Sequence, residues 1–166
     1  MFEVQKYSQF LDIKSRKWRE KSCGIIALKS VLEYWGEFVR AYKLIREGLK
    51  IKAYIPGIGW KHAGLASLAT RHGFKAKNFD WFKKNDVFAW KNLTKKLKGG
   101  PIIVSIYKNL KPGTSGHLVV VTSIKNGFVH YNDPASRARR GVLKKASEKK
   151  FRRGWKKRII VIYGKY

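Results

Sequence analysis

Acidic residues are scarce in this chain and cysteine is nearly absent: 10 Asp and Glu stand against 38 Lys and Arg, with a single Cys. One cysteine excludes an internal disulfide and any structural zinc site built from several thiolates. No stretch approaches the roughly 18 consecutive apolar residues of a membrane-spanning helix. The opening Met1-Phe2-Glu3-Val4-Gln5-Lys6 lacks the apolar centre of a secretory signal, so a cytoplasmic or already processed protein is expected. Internal repeats and low-complexity linkers are missing too. The 166 residues, 44% of them hydrophobic, therefore predict one domain over 1–166 with an ordinary core, mainly helical over 1–100 and mainly sheet over 101–166.

The excess of base gives a formal charge of +28, far beyond what solubility needs. It is densest between Arg137 and Arg158, where twelve Lys and Arg accompany one acid, Glu148. Such a surface attracts polyanions: nucleic acid, anionic lipid or an anionic envelope polymer. A generally basic proteome would leave the same mark, and no helix-turn-helix, zinc-finger or RNA-recognition signature accompanies it.

Hydrophobic spacing supplies the elements. Phe2 to Trp18 is weakly periodic and reads as an extended arm. Ile25, Ile26, Leu28, Val31, Leu32 and Trp35 carry a helix that Ser22 can cap and Gly36 ends. A second, amphipathic helix runs from Phe38 to Gly48; after a loop at Ile55-Pro56-Gly57-Ile58-Gly59, a third runs from Trp60 to Arg71. Phe74 to Phe79 reads as a short strand. A helix capped by Asp86 follows, with Val87, Trp90, Leu93 and Leu97 on its apolar face, and Gly99-Gly100 ends it. The pattern then changes to β-branched runs, Pro101 to Tyr107 and His117 to Ile124, and Asn126-Gly127 turns the chain into Phe128 to Tyr131. A short helix capped by Ser147, carrying Phe151 and Trp155, precedes a last strand, Arg158 to Tyr163. Helices first and an antiparallel sheet afterwards make the fold class α+β.

Cys23 is the residue with the most chemistry. A thiol in the first turn of a helix feels the positive end of the dipole and the unpaired N–H groups, which favour thiolate. A lone cysteine also packs as a small hydrophobe, so a base must be found. His62 and His72 fall near the ends of the third helix and His130 lies inside a strand. His117 instead opens a strand directly after Gly116, at the rim of the sheet. If Lys125-Asn126-Gly127 forms a three-residue loop, His117 faces Ala135 and Asp133 lies diagonally across on the same face. A two-residue turn would send Asp133 to the opposite face.

Ser22-Cys23-Gly24 heading an apolar helix, Gly99-Gly100-Pro101-Ile102-Ile103-Val104, Gly116-His117-Leu118-Val119-Val120-Val121 and Asn132-Asp133-Pro134 occur in that order. Together they resemble the papain-like cysteine peptidases of the bacteriocin-processing, double-glycine-leader type, from about Gln5 to the chain end. The resemblance implies a helical half bearing Cys23, a sheet half bearing His117 and Asp133, and a substrate cleft between them. It implies Cys23 as nucleophile, His117 as general base and then acid, and Asp133 as the group that orients His117. That family places an oxyanion glutamine a few residues before the cysteine, where this chain has Lys17-Trp18-Arg19-Glu20-Lys21-Ser22. Gln9 reaches the site only if Asp12 to Glu20 loops out, and Gln5 is as near in sequence.

The expected activity is hydrolysis of peptide bonds through an acyl-enzyme, with no cofactor or metal, by a monomer. Trp60, Trp81 and Trp90 are candidate cleft walls, and the basic surface would favour acidic peptides. Three alternatives use the same residues differently: a silent peptidase fold that binds polyanions, a nucleic-acid-binding module driven by Arg137 to Arg158, and a transferase or amidase resolving the same thioester.

Overall fold

The apolar run after Cys23 folds as predicted into a helix, α3 (Cys23–Tyr34), whose Ile25, Ile26, Leu28, Val31 and Leu32 are fully buried. The computed structural model, which describes residues 1–165, sets this helix against a six-stranded sheet. Two single-turn helices precede it, α1 (Gln9–Asp12) and α2 (Arg16–Arg19). They replace the expected extended arm: Ser8 caps α1 by accepting from the Phe10 and Leu11 N–H groups, an ordering too local to leave a periodic signature. Two further helices, α4 (Ala41–Lys50) and α5 (His62–Arg71), pack beside α3. Between them the expected loop holds a minimal hairpin, β1 (Tyr54–Ile55) and β2 (Gly59–Trp60).

The sheet is antiparallel throughout. Its strands are β3 (Phe74–Asp80), β4 (Ile102–Tyr107), β5 (Gly116–Lys125), β6 (Phe128–Asn132), β7 (Leu143–Ser147) and β8 (Trp155–Lys165), in the order β3-β8-β4-β5-β6-β7. Alternate residues face different layers. Ile103, Leu118, Val120, Ile160 and Ile162 join the core under α3, α4 and α5. Ile102, Val104, Val119, Val121, Ile159 and Val161 join a second core under α6 (Asp86–Leu97) and α7 (Glu148–Gly154). Burial on both faces is why these strands read as unbroken β-branched runs.

Several local expectations are corrected. The cap of α6 is Asn85, which accepts from Phe88 N–H at 2.8 Å, while Asp86 pairs with Arg152. Ser22 holds the N-cap position of α3, but its hydroxyl donates to the Trp18 carbonyl at 2.6 Å. Trp155 begins β8 rather than ending a helix, and β7, with only Leu143 and Ala146 to mark it, carries no sequence signal.

The β5–β6 hairpin settles the register. Lys125 pairs with Phe128, so the turn is the two-residue Asn126-Gly127, both residues at positive φ (52° and 76°) as a type I′ turn requires. Of the two turns the sequence allows, the three-residue loop is not formed. Thr122, however, is bulged out, because Ser123 pairs with His130 and Val121 with Tyr131. The bulge shifts the ladder by one residue, and beyond it the pairing is what the longer loop would have given. Extended one pair past Val120 and Asn132, the ladder sets Asp133 opposite Val119, diagonal to His117.

Candidate active site

Cys23 is the first residue of α3 and is partly buried. It reaches the sheet because Gly24 follows it: a Cβ on Gly24 would lie 2.9 Å from Leu65 Cδ1 and 3.1 Å from Leu118 Cδ1, so a larger residue would push the helix tip away. The preceding turn is pinned by Trp60 Nε1, which donates to the Lys21 carbonyl at 2.8 Å.

His117 is the second residue of β5, opposite Ile106. Its Nε2 lies 2.7 Å from Asp133 Oδ1, which leaves Nδ1 as the ring nitrogen available to the cleft that His117 lines together with Cys23. Asp133, 6% exposed, is satisfied on both oxygens. Oδ1 also accepts from Ala135 N–H at 2.9 Å, and Oδ2 accepts from Lys144 Nζ at 2.5 Å.

These contacts set the protonation states. Burial alone would raise the Cys23 thiol, but the His117 bond and charge, with the Leu118 and Gly24 N–H groups, take it below its ordinary value. Burial alone would lower His117; the Asp133 and Cys23 bonds reverse that and carry it up to about 9. Asp133 is likewise opposed by burial, yet His117, Lys144 and the Ala135 N–H hold its carboxyl far below the usual range. The two shifts run in the directions that favour a thiolate beside an imidazolium.

The remaining candidates sort by position. The chain from Ile13 to Ser22 does loop out, through α2, and brings the Arg19 carbonyl to 2.8 Å from Gln9 Nε2. Gln9 is buried, its N–H donates to the Pro134 carbonyl beside Asp133, and its Oε1 has no partner. His72, the residue that ends α5, is held by Glu47 and Glu37, and His130 bonds Ser123. Trp81 and Trp90 belong to the core under α6 and α7, so they are not cleft walls; Trp60 is one.

A cleft of about 680 Å³ runs past Cys23, Gly24, Gly116 and His117, with Tyr54, Ile58 and Trp60 along one side and His62, Ser105, Lys156 and Arg158 along another. Sequence reasoning missed Lys144, Ser105, His62, Lys156 and Arg158. Lys144, Lys156 and Arg158 show in the sequence only as charges in the basic run. The basic run from Arg137 to Arg158 is dispersed: Arg139, Lys144, Arg152 and Arg158 are drawn into ion pairs with Asp12, Asp133, Asp86 and Asp80.

Helices on both faces of an antiparallel sheet, with a cysteine-tipped helix against a strand-end histidine, define a papain-like cysteine peptidase fold. The Peptidase C39 family model matches residues 14–165, and the chain belongs to that family of cysteine-type peptidases. No curated protein matches it in sequence. Among solved structures, the peptidase domain of Streptococcus ComA, a bi-functional ABC transporter involved in a quorum sensing pathway, superposes with a TM-score of 0.68 at 18% identity, covering 99% of this chain and 100% of that one. A double glycine motif protease from an AMS/PCAT transporter, in complex with the leader peptide, gives 0.67 at 19% identity, covering 98% and 93%. A C39-like peptidase from Bacillus anthracis gives 0.71 at 18% identity, covering 100% and 96%. Among the described residues no helix is long and apolar enough to cross a membrane.

Proposed function

We propose that this chain hydrolyses peptide bonds through a Cys23 acyl-enzyme, with His117 as acid and base and Asp133 orienting it. The observation that carries the reading is the His117–Asp133 pair, Nε2 2.7 Å from Oδ1, opening on the same cleft as Cys23 at the tip of α3. The Cys23 thiolate attacks the carbonyl carbon of the scissile bond. The oxyanion that forms takes the Cys23 backbone N–H, free at the start of α3, and the second Nε2 proton of Gln9. His117 Nδ1–H then protonates the leaving amine as the C–N bond breaks. In the second half, His117 takes a proton from water, whose oxygen attacks the thioester and releases the acid and the thiolate. By likeness to the transporter-derived neighbour that holds a leader peptide, a Gly-Gly peptide is the first substrate to test.

The test is cleavage of fluorogenic Gly-Gly peptides by the wild-type chain and by Cys23→Ala, alongside labelling by a thiol alkylator. Cys23-dependent turnover is expected, with alkylation faster than a free cysteine at pH 7. Labelling no faster than free cysteine, with no turnover, would overturn the reading.

A further inference from the structure

β8 leaves its ladder where it passes the cleft. Ser105 pairs with Arg158 but the next residue of β4, Ile106, pairs with Trp155, so Lys156 and Lys157 form a two-residue bulge. Lys157 adopts φ 55°, a left-handed conformation uncommon for a residue with a Cβ, and its carbonyl accepts from Trp81 N–H at 2.9 Å. Bulges of this kind re-aim side chains beside active sites. Here the bulge carries the Lys156 ammonium over the Tyr107 ring, 5.3 Å from its centroid, and to 3.3 Å from where a Cβ on Gly116 would sit, next to His117. Lys156 forms no ion pair with any carboxylate among the described residues. Arg158 is oriented by Asp80, whose Oδ2 takes its Nε–H at 3.0 Å, and by the Phe82 ring, 4.7 Å from its Cζ; its two terminal nitrogens make no hydrogen bond among the described residues. Ser105, itself buried, lines the same wall. His62 stands beside them, held neutral first by burial and then by the Arg158 charge, so it adds a hydrogen-bonding group and no competing cation. Glu20 is the one carboxylate among the described cleft residues.

We infer that Lys156, Arg158, Ser105 and His62 form a carboxylate-binding subsite beside the nucleophile, so that the preferred peptide carries a carboxylate close to the bond that is cut. The inference rests on the peptidase reading for what is cut, but the subsite binds whether or not Cys23 turns over. An ammonium and a guanidinium on one wall recognise a carboxylate by charge-assisted hydrogen bonds, and a bulge that holds a lysine in left-handed backbone fixes where the charge lies. Two sources supply that group: an aspartate or glutamate side chain, or the free carboxylate at the end of a short peptide.

The experiment uses Gly-Gly peptides in which each flanking position in turn is Glu or its isostere Gln, made with both amidated and free C-termini. Turnover is measured with the wild-type chain and binding, by fluorescence anisotropy, with Cys23→Ala. At one position Glu is expected to exceed Gln by about tenfold in kcat/KM and in affinity, the size of one good charge-assisted contact. Lys156→Met or Arg158→Gln should remove most of that preference, and Lys156→Glu should turn it toward Lys at the same position. A preference confined to free over amidated termini assigns the subsite to the chain end. Equal handling of Glu, Gln, free and amidated peptides overturns the subsite while leaving the peptidase intact. Glu-selective binding to Cys23→Ala without turnover by the wild type sustains the subsite and overturns the peptidase reading.

Discussion

Lys144 Nζ lies 2.5 Å from Asp133 Oδ2 while His117 Nε2 lies 2.7 Å from Asp133 Oδ1. One carboxylate is therefore shared between an imidazole and an ammonium. Lys144 helps keep Asp133 ionised, and its positive charge also tempers the pull of Asp133 on the His117 proton. Lys144→Met is expected to let His117 hold its proton to higher pH, moving the basic limb of the kcat/KM profile upward, with the rate at pH 7 within about threefold of wild type because the lysine is partly exposed. Lys144→Arg should keep the wild-type limb. A pH profile that is the same in all three would mean that Lys144 only packs.

The protonation states fix a pH window. Cys23 is held below and His117 above its ordinary value, about 9 for the imidazole, so alkylation of Cys23 at pH 7 should be faster than that of a free cysteine, with its dependence on pH displaced to lower pH. In His117→Ala the burial that opposes ionisation is no longer offset by the His117 bond and charge, so labelling at pH 7 should fall to the rate of a free cysteine or below. Stability follows with opposite signs. The raised value of His117 stabilises the fold fully below its unfolded value of about 6.5, and that contribution is lost as pH rises through about 9. The depressed value of Asp133 stabilises above about 3.8 and is lost as pH falls through the folded value. Thermal melts of wild type and His117→Gln should converge at high pH.

Much of this site is legible in the amino-acid sequence. A Ser-Cys-Gly turn into an apolar helix, a histidine after a glycine at a strand start and an Asn-Asp-Pro corner each carry a local signal, and the fold brings those three residues together. Asp133 is reached from the sequence by a wrong route: the turn is two residues, and the bulge at Thr122, which no pattern of hydrophobicity announces, supplies the missing register step. Lys144 shows only as one charge of the basic run, because β7 is a polar edge strand whose position depends on β6. Lys156 and Arg158 stand in the sequence only as two charges in a run of twelve, since their aim comes from a bulge between strands far apart in the chain. The single-turn helices α1 and α2 are too short to show periodicity: a Ser8 cap sets α1 locally, and Ser8 and Gln9 side-chain bonds to the Ser136 and Arg19 carbonyls hold the segment in place.

The loop that bears Asp133 is fastened to the N-terminal segment. Ser8 Oγ donates to the Ser136 carbonyl at 2.5 Å and Gln9 N–H to the Pro134 carbonyl at 2.8 Å, while Arg139 grips Asp12 with both terminal nitrogens at 2.6 and 2.9 Å. Ser8 is fully buried, so Ser8→Ala loses a helix cap and leaves a carbonyl without its partner. The expected loss is about 1–2 kcal/mol, or roughly 3–6 °C in melting temperature for a chain of this size. Hydrogen exchange at Ala135, whose N–H binds Asp133, should accelerate together with that loss. Full protection at Ala135 in the variant would show that the arm does not hold the loop.

Gln9 separates rate from nucleophile activation. Its Nε2 gives one proton to the Arg19 carbonyl, and its backbone is fixed at Pro134 next to Asp133, so the amide is held in place on two sides. In the proposed role of second oxyanion donor it would act on the tetrahedral intermediate and leave the Cys23–His117 pair alone. Gln9→Ala should therefore lower kcat by about 10²–10³-fold, the usual cost of one lost donor, with KM changed little. Alkylation of Cys23 does not pass through an oxyanion, so its rate at pH 7 should stay near that of wild type. Equal losses in alkylation and turnover would instead mean that the substitution disorders the site, and an unchanged kcat would remove Gln9 from the reaction.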